Sequence, residues 1–248
     1  GGTGETETHA GLAALNLGLR VLLVEDSPVN REVASGMLEA LGCKVETASD
    51  GSVGVEQALS WGFDAVLMDC QMPLMDGFEA TQRIRAAEAA NGRKAMPIVA
   101  LTANALQGDR ERCLAAGMSD FISKPFTIKK LQAALMAAKT GKPTFELAPP
   151  NPRIKPAQVE EPPVVDIRHI DELRALRKPQ LLYNAIALFR KQAAANLDSM
   201  ERALRAGSAP EVEQHFHALK SCSLSVGARR FASIAGDCEQ AARKGDLD

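Results

Sequence analysis

From residue 20 onward the chain alternates short apolar, β-branched runs with longer segments of helical period. The runs are RVLLVED, CKVETA, DAVLMD, PIVALTA and DFISKP. Between them lie stretches such as PVNREVASGMLEALG, GFEATQRIRAAEAANG, GDRERCLAAG and TIKKLQAALMAAK. Five strands alternating with five helices predict an α/β unit, a doubly wound parallel sheet covered on both faces. Beyond residue 165 the strand pattern stops. PQLLYNAIALFRKQAAANLDSMERALRAG, APEVEQHFHALKSCSLS and ARRFASIAGDCEQAARKG predict three helices, with a shorter one near IDELRALRK. That half reads as an all-α bundle.

A change of composition separates the two halves. Seven of the thirteen prolines fall between Pro143 and Pro163, in GKPTFELAPPNPRIKPAQVEEPPVV, which has neither period. X-Pro steps favour extended backbone, so this stretch reads as a semi-rigid linker. The resulting division is an N-terminal linker over 1–17, the α/β domain over 18–140, the linker over 141–165 and the helical domain over 166–248.

Composition narrows the function classes. Apolar residues make up 46% and charged residues 24%, as in a soluble globular protein, and a net charge of -2 disfavours non-specific nucleic-acid binding. The five cysteines (43, 70, 113, 222, 238) include no C-x-x-C pair, which fits reduced thiols in a cytoplasmic protein and neither disulfides nor zinc. No apolar run is long enough to span a bilayer, and no signal peptide is visible. The first residue is Gly1, so the chain is expected to be a piece of a longer protein, whose inner-membrane anchor would not be seen here.

Chemistry is expected where the strands end, because ligands of a doubly wound sheet bind beyond the carboxyl ends of its strands. The first strand ends at Glu25 and Asp26, the third at Asp69, the fourth at Thr102 and the fifth at Lys124. One acidic strand end is an ordinary helix cap. Four such polar ends together are not. Three carboxylates on one rim repel unless a cation lies among them, and Mg²⁺ suits such a site because it keeps positions for water and phosphate. A lysine ammonium and a threonine hydroxyl complete a set able to stabilise a transferring phosphoryl group, with Asp69 as candidate nucleophile.

VLLVEDSPVNR, DAVLMDCQMPLMDG, PIVALTANA and DFISKPF together resemble the receiver domain of two-component response regulators, over residues 18–140. The resemblance implies a flavodoxin-like fold and phosphoryl transfer from a kinase phosphohistidine to Asp69. It implies Mg²⁺ held by Asp26, Asp69 and the backbone carbonyl of Gln71, with Glu25 nearby. Lys124 would pair with the phosphoryl group and Thr102 would hydrogen-bond it. Phe121 would be the switch aromatic responding to Thr102, Asn104 would face the phosphorylation site, and Lys124-Pro125 would be cis. Cys70 is expected to be a buried, inert thiol, and Met72 and Met75 to shape a loop.

In the second half, HFHALKSCSLSVGARR carries two histidines two positions apart, which a helix cannot place on one face. Val212, Phe216, Leu219, Ser223 and Val226 form the apolar stripe. His215 lies roughly 50° from its centre and His217 roughly 150° away. His215 is therefore expected to pack at the core's flank and His217 to point to solvent. Lys220, three residues on, would neighbour a phosphoryl group on His217. Ser221, Cys222 and Ser223 leave room for a partner, and Leu224 would offer an apolar docking patch.

His217-Ala218-Leu219-Lys220 with Gly227-Ala228 resembles the histidine phosphotransfer (HPt) family. The resemblance implies a helical bundle whose His217 relays phosphate between aspartates. Ser221 departs from the usual glycine and is expected to crowd the incoming group. The family bundle also has a further helix after the position of Asp248, so the expectation is a domain lacking its last helix, loosened or associating with a second copy.

Together these readings predict a phosphorelay piece resembling part of a hybrid sensor histidine kinase. Its partners would be a kinase as donor and a downstream response regulator as acceptor, with no nucleic acid and no membrane contact. Without a P-loop or the ATP boxes of histidine kinases, it should not phosphorylate itself from ATP. Two alternatives stand beside it: a response regulator whose helical tail binds protein or DNA, and a metal-dependent phosphatase. The second lacks the carboxylate expected two residues past Asp69, where Gln71 stands.

Overall fold

The computed structural model describes residues 16–60, 62–102, 107–141 and 161–247. Asn104 and most of the proline-rich linker (142–160) lie outside them. The N-terminal unit runs β1 (Arg20–Val24), α1 (Pro28–Ala40), β2 (Lys44–Ala48), α2 (Gly51–Leu59), β3 (Ala65–Asp69), α3 (Gly77–Ala90), β4 (Ile98–Thr102), α4 (Gln107–Ala115), β5 (Asp120–Ser123) and α5 (Ile128–Thr140). Four helices follow: α6 (Ile167–Ala175), α7 (Pro179–Arg205), α8 (Ala209–Ser225) and α9 (Arg229–Arg243). No described helix is long and apolar enough to cross a membrane.

The five strands pair in parallel in the order β2-β1-β3-β4-β5. β3 and β4 are apolar almost throughout because both sheet faces are covered. Alternation sorts their side chains: Val21, Leu23, Leu67, Val99 and Leu101 face α1 and α5. Leu22, Val24, Val66, Met68 and Ile98 belong to the core on the other face.

Local chemistry starts the helices where the pattern places them. Ser27, Asp50, Asp76, Thr127 and Asp166 each cap a helix by accepting from a backbone N–H. Gly77 opens α3 against the carbonyl of Asp69, a contact any Cβ would obstruct. The chain therefore turns tightly under the end of β3.

The helical half is not a separate body. Met200, Ala203, Val212, Leu219, Ala235 and Ala242 form its own small core. Leu173, Leu181, Ala185, Cys222 and Val226 instead join the core under α1 and α5. Gly36 of α1 lets Leu181 of α7 come close, since a Cβ there would meet its methyl carbons at 2.6 Å. Lys178 also pairs with Glu39, and the Asn184 amide donates to Glu32 at 3.0 Å.

A candidate phosphotransfer cleft

β1 connects to β2 on one side and β3 connects to β4 on the other, so a crevice opens between the ends of β1 and β3. Glu25 and Asp26 follow β1 and Asp69 ends β3, and carboxylate oxygens of all three lie within 4.8 Å of one another. Glu25 and Asp69 are buried. Burial, and then the Asp69 carboxylate, pushes Glu25 up to about 7. Burial and then Glu25 raise Asp26 above the usual carboxylate range.

Lys124 comes in from the end of β5 and donates to both Glu25 Oε2 and Asp69 Oδ2 at 2.7 Å. Burial opposes its charge, but the two carboxylates hold the ammonium above the ordinary lysine range. Its peptide bond to Pro125 is cis. The backbone N–H of Gln71 donates to Asp69 Oδ1 at 3.2 Å.

Thr102 is buried at the end of β4, and β5 pairs Phe121 with Ala100, two residues before Thr102. The half-buried ring of Phe121 therefore lies on the sheet face that Thr102 shares. Met72 and Met75 are buried beneath the loop after Asp69. Cys70 is buried too, and a hydrogen bond with Cys113 together with burial drives its thiol far above the reactive range.

The helical half meets this rim. A cleft of about 570 Å³ is lined by Asp26, Asp69 and Gln71 on one side and His217, Ser221 and Glu239 on the other. Here one expectation fails: His217 does not point to solvent. Its side chain is only 21% exposed, and Nδ1 lies 2.8 Å from Glu239 Oε1. α9 packs along α8 and covers the side that a lone helix would leave open. His215 is half-buried, with Nδ1 3.2 Å from Asn196 Oδ1.

Lys220 donates to the other oxygen of Glu239, Oε2, at 3.0 Å. Its charge is thus shared with the carboxylate that holds the imidazole. Although burial opposes it, the bonds from His217 and Lys220 lower Glu239 to about 2. Leu224 is half-buried beside Pro125 and Phe126, facing the N-terminal unit.

Sequence reasoning did not find Glu239. A signal existed: on α9 it occupies the buried stripe with Ala232, Ala235, Gly236 and Ala242, where a carboxylate needs a partner. It also did not find Asn30, which is buried in the first turn of α1.

Comparison with known proteins finds two domain families along the chain. Residues 21–136 match the response regulator receiver domain and residues 184–248 match the Hpt domain. The chain is a receiver domain followed by an Hpt domain. It belongs to two-component phosphorelay signal transduction. Sensor protein GacS of Pseudomonas syringae pv. syringae is 36% identical over 87% of this chain and 23% of that protein. The histidine-protein kinase BarA of Shigella flexneri is 37% identical over 50% of the chain and 13% of that protein. The chain thus spans about a quarter or less of these relatives. Among solved structures, the PA1611 receiver domain of Pseudomonas aeruginosa has 49% identity and a TM-score of 0.46, covering 50% of this chain and 98% of that one. It holds a magnesium ion in its active-site cleft.

Proposed function

We propose that Asp69 accepts a phosphoryl group from a kinase phosphohistidine and passes it to His217, which hands it to the receiver of a downstream response regulator. One observation carries this reading: Asp69, bonded by Lys124, and His217, bonded by Glu239, line the same cleft.

The residues supply a balanced transfer. Glu239 stays ionised near neutral pH and accepts hydrogen bonds only, so His217 carries its proton on Nδ1. In the neutral ring that tautomer leaves the Nε2 lone pair free. That pair attacks phosphorus, the bond from phosphorus to Asp69 breaks, and the carboxylate leaves with the bonding electrons. No proton moves. The ring becomes cationic, with the Glu239 carboxylate against it. Lys124 steadies the phosphoryl oxygens while the group is on Asp69, and returns to Asp69 and Glu25 afterwards.

The donor set fits Mg²⁺: three carboxylates share one small volume, and a single lysine leaves Glu25 strained towards its neutral form. Asp26, Asp69 and the Gln71 carbonyl would hold the ion, with Glu25 beside it. Bound there, it would neutralise charge on the phosphoryl oxygens. Phosphorylation would draw Thr102 inward and let Phe121 turn, the two-state output of the receiver.

We read the chain as part of a cytoplasmic region of a hybrid sensor histidine kinase, with the kinase as donor. Self-association belongs to the same proposal. Tyr183, Ile186, Phe231 and Ile234 are exposed on α7 and α9, which meet through Phe189 and Phe231. Concentration-dependent light scattering tests it; a monomer at every concentration refutes it.

The decisive experiment offers a labelled donor kinase and Mg²⁺ to wild type, Asp69→Asn and His217→Gln. Label should reach both sites in wild type, neither in Asp69→Asn, and stop at an alkali-labile acyl phosphate in His217→Gln. Label on His217 in the Asp69→Asn chain would refute the order of transfer.

A further inference from the structure

The geometry points to Asn30 as the positioning residue that registers this receiver on its own Hpt domain, so that Asp69 and His217 exchange phosphate within one chain. This rests on the transfer proposed above. Asn30 is 6% exposed, and its side chain bridges the domains. Its amide nitrogen donates to Glu25 Oε1 and to Ser221 Oγ, both at 2.9 Å. Its oxygen accepts from Ser225 Oγ at 2.6 Å.

Ser221 and Ser225 are one helical turn apart, so one face of α8 presents two hydroxyls to a single amide. Apolar burial is non-directional and attracts without specifying which polar groups meet. The amide cluster specifies them. A shift of α8 along α1 would break both serine bonds to the buried amide and take from its oxygen the donor it now has, which penalises wrong registers more than it strengthens the right one. A nearby bond between Ser27 Oγ and Gln192 Oε1 at 3.2 Å adds to the same seam.

The seam is wired to the chemistry. Asn30 holds Glu25, Glu25 accepts from Lys124, and Lys124 donates to Asp69. Ser221 therefore has a role other than crowding the phosphoryl group: its hydroxyl is engaged by the receiver that would deliver that group.

The test uses the full chain, loaded at Asp69 by a donor kinase with Mg²⁺ and then freed of donor. Label should move from Asp69 to His217 with a first-order rate that does not depend on protein concentration. Per loaded Asp69, the Ser221→Ala/Ser225→Ala double variant should transfer at least about tenfold more slowly, the loss expected from about one hydrogen bond. Ser225→Thr, which keeps a hydroxyl, should retain most of the rate. An unchanged melt shows that the double variant is folded. Wild-type transfer in the double variant, or a rate proportional to concentration, overturns the inference. Failure of wild type to load Asp69 overturns the function reading, and this one with it.

Discussion

Glu239 on α9 holds His217 on α8 through Nδ1 at 2.8 Å, with Lys220 on its other oxygen at 3.0 Å. The carboxylate orients the ring, and it would face the positive charge that phosphorylation of His217 is proposed to create. Glu239→Gln keeps the shape and loses the charge. Transfer into His217 should slow by about 10- to 100-fold, in line with the loss of about 1.5–3 kcal/mol for a hydrogen bond to a charged group. Loading of Asp69 should not change. Single-turnover transfer from the loaded receiver measures both.

The same pair sets a pH dependence. Glu239 is held at about 2 against an ordinary 4.5, so its folded state binds protons less readily than its unfolded state. Its contribution to stability is fully present above about pH 4.5 and fades as pH falls towards 2. Thermal melts between these limits should show wild type losing stability more steeply than Glu239→Gln. Parallel curves would contradict the assignment.

Lys124 is the cation between two buried carboxylates. Lys124→Ala leaves Glu25 and Asp69 facing each other without it. In chelator the receiver should lose about 3–5 kcal/mol, as when one partner of a buried ion pair is removed. Mg²⁺ should restore part of the loss, and denaturant melts with and without the ion measure it. Phosphoryl loading should fall whether or not stability recovers.

Gly36 lets α1 approach α7. Gly36→Val places side-chain atoms where Leu181 now sits. The receiver fold should survive, because the obstruction lies at the seam between domains. Transfer to His217 should fall while loading stays, and protease cleavage between the domains should quicken. A variant as protected as wild type would show that the seam is softer than its packing implies.

The alternation of apolar strands and amphipathic helices was readable without coordinates because β1, β3 and β4 are buried on both faces and so carry continuous apolar runs. The polar strand ends were readable for a related reason. Glu25, Asp26, Asp69, Thr102 and Lys124 stand where the apolar runs end and the rim must be polar and charged.

The environment of His217 was not readable. A helical projection treats α8 as alone, and on it His217 lies opposite the core. α9 adds a second burying surface that the period of α8 does not encode, and it brings Glu239 from 22 residues away.

Which elements form and which residues could carry phosphate followed from apolar periodicity and from the polar residues at the strand ends. Which charges share a hydrogen bond, and that Asp69 and His217 open on one cleft, came from tertiary packing. Those depend on how helices from distant parts of the chain pack, and packing is chosen by shape across all of them at once.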